Sequence, residues 1–244
     1  MAWYTLGMEK SANFEGLNQG HEATIARRLI EEWSTQSPPY EVEFYGKDVS
    51  VLILGETHSR EGEIRKQIEL IKKVRPDFVL HEFLNGWIYD PETRGYKQQE
   101  GREFSEADDM ESSHDCPKEL IDLANQMGFQ IIGCDLTDGE LDKIGRSLVA
   151  RDSEKYSYSA GVLKTTTGDP ENPMISEWVS RSIEGIESRE EKMVKLITQY
   201  QSLSKKPIVI ILGDAHRENL VQQGLLKKGG FGYVSISQSL HIGP

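Results

Sequence analysis

A short apolar run that ends in glycine, an acidic residue and, two residues further on, a histidine occurs twice in this chain. The run 51–54 leads into Gly55-Glu56-Thr57-His58, and the run 208–212 leads into Gly213-Asp214-Ala215-His216. Four or five apolar residues rich in Val and Ile are too few for a helix but enough for a strand buried on both faces. Gly55 is expected to turn the backbone sharply, and a helical pattern follows each tetrapeptide. Such strand–turn–helix units build sites at the carboxyl ends of parallel strands, so the repeated unit predicts an α/β fold.

Five apolar runs predict the strands of one central sheet. We expect a single α/β domain over residues 1–244, with a mixed, mainly parallel sheet flanked by helices on both faces. Polar and apolar residues alternate over segment 40–45, which predicts a half-exposed strand. The turn residues Gly46-Lys47-Asp48 predict that this strand forms a hairpin with the strand that follows. The five runs are 49–54, 78–82, 130–134, 208–212 and 233–236.

Residues 85–117 are the least regular part of the sequence. They are polar and acidic, with few aliphatic side chains. This composition predicts an excursion from the domain that carries one or two short helices. Two interpretations of its role stay open: a lid or substrate loop, or a solvated insertion without a function.

One carboxylate interrupts the apolar stripe of a long helix predicted from about residue 176 to 203. Apolar residues at positions 179, 183, 186, 193, 197 and 200 follow helical spacing, and Glu190 fills the gap between them. A carboxylate on a buried stripe must be paired, protonated or bound to something. Either Glu190 forms a buried ion pair with Arg189 or another base, or it belongs to a functional site.

Composition and charge exclude several classes of protein. The net charge is −12 and no basic patch is evident, which argues against nucleic acid as a partner. The apolar runs are far shorter than the roughly 20 residues that span a membrane. The amino terminus lacks the charged and apolar regions of a signal peptide, and Cys116 and Cys134 are two isolated thiols. We therefore expect a cytoplasmic location, while a disulfide between the two cysteines and the oligomeric state stay open.

The titratable residues at the predicted strand ends suit hydrolysis by an activated water molecule. Imidazole and carboxylate groups in one cleft can act as acid and base or hold a divalent metal such as Mn, Zn or Co. The sequence has no helical His-Glu-x-x-His motif, no Gly-x-Ser-x-Gly elbow and no phosphate-binding loop. Neither cysteine and no serine has a recognisable setting as an activated nucleophile. Water is therefore the expected nucleophile, activated by a histidine–glutamate pair or by a bound metal.

Taken together and in this order, these motifs resemble the TraB/PrgY–TIKI and erythromycin-esterase/ChaN-like superfamily. The resemblance covers about residues 49–236 and is carried by the two Gly-x-x-His motifs, the strand end at Glu82 and the segment 189–193. It implies one α/β domain whose site collects both motifs, an acid after the second strand and an arginine on a late helix. Members include metalloproteases, antibiotic esterases and a haem-binding lipoprotein, so the fold does not define the reaction. Glu56 stands where the protease branch usually has threonine, and is closer to the esterase and ChaN-like branches.

We expect a hydrolase of ester or amide bonds that acts on a small molecule or a peptide. The alternative is a non-catalytic protein that holds a small molecule or haem in the same cleft. His81 should point away from Glu82 along the strand, so a purely structural role for it stays open. The predicted catalytic residues are Glu56, His58, Glu82, Arg189 and His216, with Arg189 polarising a carbonyl or binding an oxyanion. The predicted metal ligands are Glu56, His58, Glu82 and His216, converging on one cleft. The residues expected to support them are Glu190, Asp214, Asp135 and His81.

Overall fold

A computed structural model gives the structure of most of the chain. It describes residues 28–29, 31–33, 35, 41–46, 48–57, 61–105, 108, 116–151, 156–159, 162–165, 179 and 182–238. The strands in these stretches are β1 (Glu41–Tyr45), β2 (Val49–Glu56), β3 (Phe78–His81), β4 (Trp87–Asp90), β5 (Gly95–Gln98), β6 (Gln130–Gly133), β7 (Tyr156–Ser159), β8 (Val162–Thr165), β9 (Ile208–Gly213) and β10 (Gly232–Ser237). The helices are α1 (Glu61–Val74), α2 (Lys118–Met127), α3 (Asp138–Arg151), α4 (Ile183–Gln201), α5 (Asp214–Gln222) and α6 (Leu225–Lys228), with a 3-10 turn at Glu82–Leu84.

Eight of the described strands form one mixed sheet, in the order β1-β10-β2-β9-β3-β6-β4-β5. The five strands from β10 to β6 are mutually parallel. On one side β1 runs antiparallel to β10, and on the other side the β4–β5 hairpin runs antiparallel to β6. The described strands β7 and β8 pair with each other as a separate ribbon. The predicted mixed, mainly parallel sheet with helices on both faces is confirmed.

The predicted hairpin between the segment 40–45 and β2 is wrong. β1 pairs instead with β10, where Glu41 lies opposite Ser237. The reason is burial: β2 is almost wholly buried and needs a neighbour on each edge, whereas β1 is partly exposed and suits an edge of the sheet. Gly46, with φ of 89°, carries the chain past the start of β10, and a Cβ added there would lie 2.8 Å from the Cα of Gly232.

The predicted excursion contains strands where short helices were expected. Within residues 85–105, β4 and β5 form a hairpin that extends the main sheet at its edge. The rings of Tyr89 and Tyr96 face each other across this hairpin, edge to face, with centroids 5.1 Å apart. Such cross-strand aromatic pairs stabilise a two-stranded unit. Residues 106–107 and 109–115 of the excursion lie outside the described stretches.

Side chains of the central strands alternate between two helical layers. Leu52 and Leu54 of β2 pack in the layer of α1 and α2, whereas Val51 and Ile53 pack in the layer of α4, α5 and α6. The same alternation runs through β3, β6 and β9 because each strand is covered on both faces. It also determines which layer each residue at a strand end faces.

The two cysteines are buried free thiols, one in each layer. Burial, with the nearby negative charge of Glu56, raises the pKa of Cys116 to about 12. Burial likewise raises the pKa of Cys134 well above its ordinary value, and the carboxylates of Asp135 and Glu82 act in the same direction. Because the sheet separates the two side chains, the disulfide left open by the sequence does not form.

Candidate functional site

Glu82 connects three elements at the carboxyl ends of the parallel strands. It follows the last residue of β3, is 8% exposed and faces the α4 layer. Its Oε1 accepts a hydrogen bond from Nη2 of Arg189 at 3.0 Å, and its Oε2 accepts one from the backbone N–H of Gly213 at the end of β9. The carboxylate therefore holds the ends of β3 and β9 against α4.

Arg189 bridges two carboxylates with one edge of its guanidinium group. Besides Glu82, it contacts Asp135, which follows β6: Nε donates to Oδ1 at 2.7 Å, and Nη2 donates to Oδ2. Burial opposes the charge of Arg189, but its hydrogen bonds with Asp135 and its attraction to both carboxylates outweigh burial and raise its pKa. Among the described residues Nη1 makes no hydrogen bond, so its N–H groups can serve an incoming oxygen atom.

The imidazole of His216 lies between two carboxylates. It belongs to the first turn of α5 and is 8% exposed. Its Nδ1 is 3.7 Å from Oε1 of Glu190, and its Nε2 is 3.8 Å from Oε1 of Glu82. These distances exceed those of hydrogen bonds by less than 1 Å, and such bonds often tighten only when a substrate is bound.

Glu190 is fully buried, and a residue that the sequence analysis missed holds it in place. Asn219 donates from Nδ2 to Oε1 of Glu190 at 2.7 Å, the same oxygen that lies near His216. Within the described part of the chain, Oε2 of Glu190 and Nδ1 of His216 have no hydrogen-bond partner. The alternative ion pair of Glu190 with Arg189 is not formed, since Arg189 binds Glu82 and Asp135. Asn219 follows His216 by three residues, so helical spacing alone places both on one face of α5.

Asp214 anchors the start of α5 on the sheet. It contacts Nε of Arg217 and accepts a hydrogen bond from the hydroxyl of Ser237 at 2.9 Å. Arg217, also missed by the sequence analysis, is only 3% exposed and donates to the hydroxyl of Ser235 at 3.2 Å. A Cβ on Gly55 would lie 2.1 Å from Oδ1 of Asp214. Gly55 therefore makes room for α5 from within β2, and does not end the strand in a sharp turn as predicted.

Glu56 faces the other layer of the molecule. β2 continues as a strand to Glu56, whose side chain follows Leu52 and Leu54 towards α1. There Nε2 of Gln67 donates to Oε2 of Glu56, and Gln67 also donates to Gln238 at 3.2 Å. The structure thus places Glu56 across the sheet from the cluster of Glu82 and His216, and not beside them as predicted.

Of the two other histidines predicted for the site, the structure describes His81 but not His58. His81 is fully buried, and its Nδ1 accepts a hydrogen bond from the backbone N–H of Phe83 at 3.2 Å. Its side chain faces away from Glu82, as strand alternation predicts, and it caps the 3-10 turn. His58 lies outside the described residues, so its proximity to His216 stays a prediction.

The predicted Mn, Zn or Co site stays a prediction, because its ligand His58 lies outside the described residues. Both oxygens of Glu82 accept hydrogen bonds from Arg189 and Gly213, and Glu56 faces the other layer. Across the described stretches, no group of three or more His, Cys, Asp and Glu side chains is arranged to hold a metal ion. The positive charge that carboxylates in one cleft require comes here from Arg189.

Comparisons with protein-family models, with curated proteins and with solved structures gave no match to this chain. The resemblance to the TraB/PrgY–TIKI and erythromycin-esterase/ChaN-like superfamily therefore stays a prediction, carried by short motifs. None of the described helices is long and apolar enough to cross a membrane.

Proposed function

We propose that this chain hydrolyses an ester or amide bond, with water as the nucleophile and His216 as the general base. The supporting observation is the position of the imidazole between the buried carboxylate of Glu190 and the carboxylate of Glu82. Nδ1 is the buried nitrogen, and it faces Glu190. This geometry suits a tautomer with its proton on Nδ1, which leaves Nε2 as the base.

In the proposed reaction, Nε2 takes a proton from water as the water oxygen attacks the carbonyl carbon. The π electrons of the carbonyl move to its oxygen, which becomes an oxyanion. Nη1 of Arg189 donates hydrogen bonds to this oxyanion. Nε and Nη2 of Arg189 are already bound to Asp135 and Glu82, and these bonds hold the guanidinium group in a fixed orientation. When the intermediate collapses, the carbon–oxygen or carbon–nitrogen bond breaks and the proton on Nε2 passes to the leaving group.

The two carboxylates beside His216 stabilise the imidazolium that forms during the reaction. Glu190 and Glu82 lie on opposite sides of the ring, so a positive ring gains from both. Glu190 is fully buried, where attraction between opposite charges is weakly screened. General base catalysis of this kind contributes about 10²–10⁴-fold to a rate.

The test is a screen of small esters, aryl amides and short peptides, each with and without EDTA. We expect His216→Ala to lower kcat/KM of any substrate found by at least about 100-fold. The matched control is Gln222→Ala, an exposed residue of the same helix. Activity unchanged in His216→Ala would contradict the proposal.

The alternative function is that of a non-catalytic protein that binds haem or another small molecule. A visible absorption spectrum distinguishes a haem-binding protein from the proposed hydrolase. A Soret band in the purified protein, or on titration with haem, together with no hydrolysis in the screen, would replace the hydrolase by the binder. Loss of activity in EDTA that returns with Mn²⁺, Co²⁺ or Zn²⁺ would show that the reaction uses a divalent metal.

A further inference from the structure

A cavity of about 370 Å³ opens between the β4–β5 hairpin and α4. Its size lies within the range of about 300–1,000 Å³ that is usual for small-molecule sites. Apolar side chains form part of its wall, and three cationic side chains form another part. The apolar residues are Ile88, Leu196 and Tyr200, and the cationic residues are Lys97, Arg102 and Lys192.

Two residues of the cavity wall are connected to the His216 site, although no residue of that site lines the cavity. Lys192 lies three residues after Arg189 on α4, which is about 4.5 Å along the helix axis. Arg102 donates from Nη2 to the backbone carbonyl of Asp135, whose carboxylate holds Arg189. Asp135 therefore connects the cavity wall to Arg189.

The inner wall of the cavity carries an excess of positive charge. Glu140 is shared by two cations: it accepts hydrogen bonds from Arg102 at 2.7 and 2.9 Å and from Lys192 at 3.2 Å. Burial opposes ionisation of Glu140, but its bonds with Arg102 outweigh burial, so its pKa is lowered. Two cations and one carboxylate leave one positive charge on this wall. The side chains of Arg102 and Lys192 are 2% and 23% exposed, so solvent screens that charge little.

At the mouth of the cavity, the side chains of Lys97 and Glu100 are more exposed to solvent than those of the inner wall. Lys97 is 55% exposed and forms an ion pair with Asp90 at 3.2 Å, and Glu100 is exposed at the rim. An anion gains nothing from the charges at the rim, because one cation and two carboxylates leave one negative charge there, which solvent screens. An anion that reaches the inner wall gains from Lys192, whose ammonium group has three N–H donors and one partner among the described residues.

We propose that this cavity binds a small anionic ligand, a carboxylate or a phosphate on a short apolar body, with Lys192 as its main contact. The apolar body packs against Ile88, Leu196 and Tyr200. The binding of this ligand does not depend on the proposed hydrolysis. Arg102 contributes charge, because all three of its nitrogens already donate hydrogen bonds.

The binding test uses three probes of equal chain length: hexanoate, hexyl phosphate and 1-hexanol. Titration calorimetry should give at least about tenfold tighter binding for one or both anions than for the alcohol. The tighter of the two anions identifies the headgroup. Binding of the alcohol as strong as that of both anions would overturn the proposal, because the cavity would then recognise only the apolar chain.

Substitutions on α4 locate the binding. Lys192→Met should weaken anion binding at least about tenfold, and Lys192→Arg should keep it within about threefold. The matched control is Lys195→Met, on the exposed side of the same helix with 75% of its side chain accessible. Equal binding by Lys192→Met and Lys195→Met would overturn the proposal, provided that circular dichroism shows both variants folded. If Lys192→Met does not fold, loss of binding in Lys192→Arg would overturn it instead.

The same titrations separate this proposal from the proposed reaction. His216→Ala should bind the anionic probes as the unmodified protein does, because His216 is not part of the cavity wall. Anion binding without hydrolysis in the ester and amide screen would support the cavity and contradict the reaction. Hydrolysis that depends on His216, without anion binding, would support the reaction and contradict the proposed role of the cavity.

Discussion

Glu190 is the residue whose removal best tests the proposed role of His216. Its buried carboxylate stabilises the imidazolium form of the ring, so Glu190→Gln should lower kcat by about 10²-fold with little change in KM. The matched control, Glu191→Gln, changes a neighbouring side chain that is 67% exposed and should leave kcat unchanged. Steady-state kinetics on the best substrate of the screen measures both.

A double variant tests whether Glu190 acts through His216. In a His216→Ala background, Glu190→Gln should cause almost no further loss, since residues that act as a unit are not additive. A further loss of about 10²-fold in that background would show that Glu190 contributes independently of the ring.

Gly55 is the position where one added methyl group should damage the fold most clearly. Its Cβ would lie 2.1 Å from Oδ1 of Asp214 and 2.6 Å from Cδ of Arg217. We expect Gly55→Ala to lower the free energy of unfolding by about 1–3 kcal/mol, the usual cost of overpacking. Urea denaturation measures this, with Gly95→Ala as the control because its added Cβ would meet Thr93 only at 3.7 Å.

The sequence predicted the residues of the site where the local pattern alone decides their direction. Glu82, Asp135 and His216 follow predicted strands, and Glu190 interrupts a helical stripe; the structure brings all four to the Arg189 side of the sheet. The predicted position of Glu56 was wrong because the strand was expected to end at residue 54. β2 instead continues through Glu56, and strand alternation turns the side chain of Glu56 towards α1. Asn219 and Lys192 have no local signal beyond helical spacing, because their partners are distant in sequence.

At the scale of elements, α3 is held to the site by one carboxylate in its first turn. Glu140 binds Arg102 and Lys192, and its side chain is 15% exposed. Glu140→Gln leaves the guanidinium of Arg102 without its charged partner, so we expect the free energy of unfolding at pH 7 to fall by about 3 kcal/mol. Asp142→Asn, which removes an exposed pair with Arg146 on the same helix, should change it by less than about 1 kcal/mol.

The effect of Glu140→Gln should also depend on pH. The pKa of Glu140 in the folded protein lies below its ordinary value of 4.5, so the ionised carboxylate stabilises the fold above that pH. As pH falls below about 4.5 and through the lower pKa of the folded state, this stabilisation is lost. The difference between variant and unmodified protein should therefore shrink from pH 7 to pH 3, and a constant difference would contradict this role.

The strands that the sequence predicted correctly are those that are buried over most of their length. β2 and β9 are apolar on both faces, and that pattern is recognisable without knowing their neighbours. β1 and the β4–β5 hairpin are edge elements of mixed polarity, and their positions depend on competition for a free edge. Sequence alone could not show that β10 would take the place beside β2 that was predicted for β1.

At the scale of the whole molecule, the two cysteines report on the two layers separately. Cys116 lies in the α1–α2 layer and Cys134 in the α4 layer, and burial raises the pKa of both thiols. We expect neither to react with a thiol reagent at pH 8 in the folded protein, and both to react in guanidinium chloride. The variants Cys116→Ser and Cys134→Ser each leave one thiol, and fast labelling of one thiol but not of the other under native conditions would show that its layer opens alone.

The strand order also decides how late the sheet can be completed while the protein is being synthesised. β2 lies between β9 and β10, so both of its partners come from the carboxyl-terminal part of the described chain. A ribosome adds about 5–20 residues per second, so roughly 8–30 s pass between the synthesis of Glu56 and that of Ile208. Throughout that interval a mainly apolar strand has neither neighbour, and unpaired edges of this kind readily join other chains. Nascent chains stalled before residue 208 should therefore be the form of this protein that aggregates most readily and depends most on chaperones.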